Sequence, residues 1–116
     1  MMQVTRVLFR TNSVGDMRTY DVRTSSPLRA SSNSISQFQG FYSPPSGVTY
    51  KALGNQALDF ITQMLSVPGV REVRIEPWRF VLIKTEAFLW HEVEVHLRRI
   101  LIEVYGYEGV FLERAS

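Results

Sequence analysis

The 116-residue chain contains no cysteine, which removes thiolate nucleophiles, disulfides and cysteine ligation of zinc or iron–sulfur clusters from what this sequence can do alone. His91 and His96 are its two histidines. They are the only candidate bases for a nucleophilic triad, and no G-x-S-x-G elbow presents a serine to them. In HEVEVH the imidazoles stand five positions apart, a rotation of about 500° on a helix, so they diverge by roughly 140°. The HExxH spacing, which separates ligands by only about 40°, is not met. His96 with Glu92, or His91 with a loop residue, has the chemistry for zinc without a motif to support it. Paired carboxylates need burial to split their pKa values, and the pattern sets every Asp and Glu on an outward face or in a turn. Neither G-x-G-x-x-G nor a P-loop occurs. These residues point to a non-enzymatic chain with no metal and no cofactor.

A composition of 45% hydrophobic and 21% charged residues is that of a globular protein, and the length suits one domain spanning 1–116. Apolar runs such as Phe80 to Ile83 fall far short of the ~20 residues a membrane helix needs. The first residues, MMQVTRVLFRTNS, carry Arg6 and Arg10 around a short apolar patch with no small-residue cleavage site, unlike a secretory signal. A cytoplasmic chain without membrane contact is expected. Residues 1–50 hold Arg6, Arg10, Arg18, Arg23 and Arg29 against Asp16 and Asp21, a net of +3, while the remainder carries −1. Such a surplus steers partners weakly and reads as solubilising charge before it reads as a nucleic-acid footprint.

The elements that must position these side chains follow from periodicity. Val4 to Thr11 and Arg18 to Thr24 flank Asn12-Ser13-Val14-Gly15-Asp16 and predict a β-hairpin with Tyr20 and Val22 on one face. Residues 25–54 then contain eight Ser, three Pro and three Gly, the chemistry of a long loop. Phe38, Phe41, Tyr42 and Tyr50 interrupt it, either capping the domain's own core or docking a partner. From Asn55, read as a helix cap, Ala57, Leu58, Phe60, Ile61, Met64 and Leu65 recur at helical spacing up to Val67-Pro68-Gly69. REVRIE alternates with Val73 and Ile75 inward, Pro77-Trp78-Arg79 turns, and Phe80 to Thr85 forms a more buried strand. A second helix carries Trp90, Val93, Leu97, Ile100, Leu101 and Val104 inward and stops at Gly106. Its outer face pairs Glu92 with His96, Glu94 with Arg98 and Arg99 with Glu103. Tyr107 to Leu112 can add a short edge strand. The order ββ-loop-α-ββ-α predicts an α+β fold of two layers, an antiparallel sheet with both helices on one face.

Sheets of this kind can stack bases on exposed aromatics flanked by cations, and the first hairpin offers Phe9 and Tyr20 with Arg10 and Arg18. The RNP1 pattern is missing. Weak binding of RNA or single-stranded nucleic acid is therefore the alternative reading.

The run of helix, SVPGVREVRIEPWRFVLIKT and Trp-opened helix resembles the N-terminal domain of the Nfu family of iron–sulfur cluster scaffold proteins, over roughly Gln56 to Tyr105. In that family a helix ends in a similar G-V-x-x-V signal, followed by a hairpin with an aromatic before its second strand and then a closing helix. Gly69, Val70, Val73, Phe80, Val81 and Trp90 fall on those features. Heavy-metal-associated domains share the G-V-x-x-V entry but place an M-x-C-x-x-C loop before their first helix, which this sequence lacks. The family's proline- and asparagine-rich first turn is reduced to TNSVGDM, with Asn12 and Ser13 as remnants, and the Ser-rich segment is expanded. The family's cluster-binding CxxC belongs to a separate C-terminal domain not found in this sequence. The resemblance implies an accessory interaction module for iron–sulfur assembly that carries no cluster. Its expected partner-binding residues are Phe38, Phe41, Tyr42, Tyr50, Arg10 and Arg18, and its expected partner is an assembly or client protein.

Overall fold

The computed structural model describes residues 3–13, 15–29, 36–39 and 54–115. In chain order these form β1 (Val4–Thr11), β2 (Met17–Arg23), β3 (Ser36–Gln39), α1 (Asn55–Leu65), β4 (Val70–Ile75), β5 (Arg79–Lys84), α2 (Trp90–Tyr105) and β6 (Gly109–Arg114). The fold is α+β, with a six-stranded sheet in the order β3-β4-β5-β2-β1-β6.

Both expected hairpins are present: β1 pairs antiparallel with β2, and β4 with β5. The first turn is closed by Asn12, whose Oδ1 accepts from the Gly15 N–H at 2.9 Å while its own N–H donates to Met17 O at 2.9 Å. Antiparallel pairing of β2 with β5 joins the two hairpins into one sheet. One pairing departs from the all-antiparallel expectation, because β6 lies parallel to β1. The reason is the helical crossover: β5, α2 and β6 form a strand–helix–strand unit, which sets β6 parallel to β5. Since β5 and β1 both oppose β2, β6 meets β1 in the same direction. The Ser-rich segment read as loop also contains β3, which pairs with β4 and sets Phe38 opposite Val73.

Both helices cover one face of the sheet. Ala57, Phe60, Ile61 and Met64 of α1 and Val93, Leu97, Ile100 and Leu101 of α2 share one core with Val7, Tyr20, Val22, Val73, Ile75, Phe80, Leu82 and Val110. Its centre is aromatic: Tyr20 stacks on Phe80 at 4.8 Å between ring centroids, and Phe60 meets Phe80 edge-on at 5.0 Å. The Tyr105 hydroxyl ties α2 to the segment after β2 by donating to Leu28 O at 2.9 Å. Gly106 ends α2 at φ +72°, as its position predicts. The cap of α1 is Gly54 instead of Asn55, which opens the first turn without a side-chain cap bond. No described helix is long and apolar enough to cross a membrane.

Candidate functional site

The alternation along each strand divides the cationic residues of the first hairpin between two different environments. Arg18 shares its parity with the buried Tyr20 and Val22 and therefore turns toward α2. There its Nη1 donates to Glu94 Oε2 at 2.7 Å and its Nε to Thr11 Oγ1 at 2.6 Å. The guanidinium also lies 4.2 Å from the Phe9 ring centroid and 5.0 Å from that of Trp90. The Tyr20 hydroxyl donates to the same Glu94 oxygen at 2.7 Å. Burial, followed by the negative charge of Glu94, raises the Tyr20 pKa far above the ordinary phenol value. Lys84 Nζ lies 5.4 Å from the Trp90 ring centroid and 3.0 Å from Asp16 Oδ1, while the indole N–H donates to Gly15 O. This cluster fastens the first turn and the start of α2 to the end of β5.

Two sequence expectations change here. Glu94 pairs with Arg18 across the layers instead of with Arg98 along the helix, and both Glu94 and Glu72 are largely shielded. They are thus not on a plainly outward face. Glu92 accepts the Leu89 N–H at 2.8 Å, capping α2, and of the expected helix pairs Arg99 with Glu103 forms at 3.2 Å. His91 is exposed and His96 half-buried. Among the described residues no three His, Asp or Glu side chains gather as a metal site requires.

Arg10 has the opposite parity and faces away from the helices. That face has a half-buried apolar stripe of Leu8, Met17, Val81 and Ile83, and at its β6 end Val4 and Phe111 are about half exposed. Five arginines, Arg6, Arg10, Arg23, Arg74 and Arg79, belong to the same parity set. Arg6 bonds to Glu113, Arg74 to Glu72 at 2.6 Å and Arg79 to Asp21 at 2.8 Å. Arg6 and Arg23 stand directly opposite each other across β1 and β2, a like-charge pairing that costs stability unless relieved. Glu113 relieves it for Arg6. No ion pair among the described residues engages Arg10 or Arg23.

Phe9 packs against the core beside Tyr20, 6.2 Å away. The aromatics read from the first hairpin as a possible base-stacking platform therefore lie under the helices. Phe111 is an exposed aromatic on the face away from the helices; Val110, Phe111 and Leu112 are all apolar, so the sequence pattern does not show which of them turns outward. Of the loop candidates, Phe38 lies on β3, and Phe41, Tyr42 and Tyr50 are outside the described residues. Arg29, counted in the basic N-terminal half, is buried and donates to Ile75 O at 3.1 Å.

The fold and this surface define a two-layer α+β domain whose second sheet face, among the described residues, carries no packed layer. The crystal structure of protein SAV1430 from Staphylococcus aureus has a similar fold, with a TM-score of 0.57 over 83% of this chain and 98% of that one at 10% sequence identity. No family model and no curated protein matches the chain.

Proposed function

We propose that this chain is a non-catalytic protein-interaction domain that acts as an accessory to iron–sulfur cluster assembly in the cytoplasm, without itself holding a cluster. The observation that carries the interaction reading is the sheet face that no described residue covers, where an apolar stripe lies beside Arg10 and Arg23. Apolar area of this kind with a polar rim is what protein interfaces use. Cations at the rim that no ion pair among the described residues engages select a partner with an acidic border and speed its encounter. The link to cluster assembly rests on the likeness of Gln56 to Tyr105 to the Nfu N-terminal domain. The partner is then an assembly protein or an apo-client.

The test is recovery of tagged chain from its host, with Arg10→Glu/Arg23→Glu as the paired control. Both side chains are exposed, so the fold should be retained. Wild type is expected to bring down a cluster-assembly or client protein that the variant loses. Recovery of the same proteins by both would overturn the surface assignment, and recovery of no such protein would overturn the link to assembly.

One observation favours nucleic acid as a second reading: Phe111, Arg6, Arg10 and Arg23 share a face, and an aromatic beside cations can stack a base. It predicts retention of RNA or single-stranded DNA at low salt, lost as salt rises and reduced in Arg10→Ala/Arg23→Ala. No retention at low salt rejects it.

A further inference from the structure

Among the described residues, the outer edge of β6 has no neighbour in the sheet. Edge strands usually carry proline, a bulge or central charge to prevent a further strand from adding. β6, with the sequence GVFLER, has no proline, and its pairing with β1 runs from Gly109 to Arg114 without a shift. Its charges sit at the end, and its centre is Val110, Phe111 and Leu112. Phe111 is 52% exposed.

The direction of its backbone groups fixes which pairings the edge can accept. Ala115 N–H donates to Phe9 O at 2.9 Å, so odd-numbered residues of this strand address β1. Alternation then turns the N–H and C=O of Val110, Leu112 and Arg114 toward the open edge. In an antiparallel pair, outward residues must exchange hydrogen bonds with outward residues. A two-fold axis through two copies of β6 can therefore pass at Val110, Phe111 or Leu112, and the side chains choose among these.

An axis at Val110 sets Glu108 against the partner's Leu112. An axis at Leu112 sets Val110 against the partner's Arg114 and Phe111 against the partner's Glu113. An axis at Phe111 sets Val110 against the partner's Leu112 on the helix side and Phe111 against the partner's Phe111 on the uncovered side. Glu108, in the bend one residue before β6, then lies next to the partner's Arg114, twice by symmetry. This last register matches apolar with apolar and acid with base at each of these positions, the arrangement that stabilises cross-strand pairs. Glu108 and Arg114 are both exposed, and Glu108 uses one carboxylate oxygen to accept the Gln3 N–H at 2.7 Å.

We infer that a second copy of this chain adds to β6 in antiparallel fashion about a two-fold axis at Phe111, joining two sheets into one. The contact is isologous and closes on itself, so it yields a dimer and not a fibre. It rests on the strand edge and is independent of the occupant of the uncovered face.

The absence of cysteine in the native sequence makes the register directly readable. Phe111 faces its own copy at a non-hydrogen-bonded position, where the α-carbons approach to about 4.5 Å. Under mild oxidation Phe111→Cys is expected to form a disulfide-linked dimer, while Glu113→Cys and the remote Glu86→Cys remain largely unlinked. In sedimentation equilibrium of the unmodified chain, self-association is expected, with Arg114→Glu raising the dimer dissociation constant about tenfold through two like-charge contacts. Glu108→Arg/Arg114→Glu should restore it. A strictly monomeric chain up to millimolar concentration, or a dimer indifferent to both the reversal and the swap, would overturn the inference. Equal linkage at positions 111, 113 and 86 would do the same.

Discussion

At the scale of single residues, two arginines that look equivalent in the sequence have opposite roles. Arg18 lies between Phe9 and Trp90 with its charge answered by Glu94, whereas Arg10 is exposed and enters no ion pair among the described residues. Removing one partner from a shielded pair leaves the other charge poorly solvated, and that loss exceeds the net worth of the intact pair. Arg18→Ala and Glu94→Ala are each expected to lower unfolding free energy by about 2–3 kcal/mol in urea titrations. The double variant should cost less than the sum, because each single change already breaks the same bond. Arg10→Ala should stay within about 0.5 kcal/mol of wild type. The difference was legible in the sequence: Arg18 lies two positions before Tyr20 and four before Val22, so alternation alone assigns it to the covered side. The identity of its counter-ion was not legible, since Glu94 is 76 positions away and its orientation depends on how α2 crosses the sheet.

At the scale of elements, helices and hairpins followed from local periodicity, while the pairings that complete the sheet did not. A helix stripe such as Val93, Leu97, Ile100 and Leu101 is visible in any short window. The parallel contact of β6 with β1 joins residues from opposite ends of the chain and arises from the crossover through α2. β3 was missed because SQFQ offers four residues, too few for alternation to be distinguished from a loop. The G-V-x-x-V entry carries a more specific meaning than a turn. Gly69 has φ +94°, and a Cβ there would lie 2.6–2.9 Å from Phe88 side-chain atoms. The glycine is therefore required both by backbone conformation and by the ring that precedes α2. Gly69→Ala is expected to destabilise by about 2–3 kcal/mol, combining left-handed strain with displacement of Phe88. Gly106→Ala meets open space at φ +72° and should cost only about 1 kcal/mol. Thermal or urea unfolding of the two variants side by side separates strain from crowding.

At the scale of the whole molecule, the seams between layers are held by tyrosine hydroxyls, and this makes global stability depend on alkaline pH. Tyr20 joins the sheet to α2 through Glu94, and Tyr105 joins α2 to the segment after β2 through Leu28 O. Burial is the largest cause raising both pKa values above the ordinary phenol value of 10.0. Because the folded chain holds these protons more tightly than the unfolded chain, their stabilisation is complete below about pH 10 and declines as pH rises beyond it. Each phenol should remove about 1.4 kcal/mol of unfolding free energy per pH unit there. Tyr20→Phe isolates one contribution. Near neutral pH it should be about 1 kcal/mol less stable, having lost the bond to Glu94. Above pH 10 it has one fewer proton to lose on unfolding, so its stability should fall less steeply and the two curves should cross about one pH unit higher. Urea unfolding between about pH 7 and 11.5 checks this, with absorbance of the phenolate following the same transition. Parallel curves for wild type and variant would show that Tyr20 gives up its proton in the folded chain and that the Arg18–Glu94–Tyr20 cluster is more open to solvent than its geometry indicates.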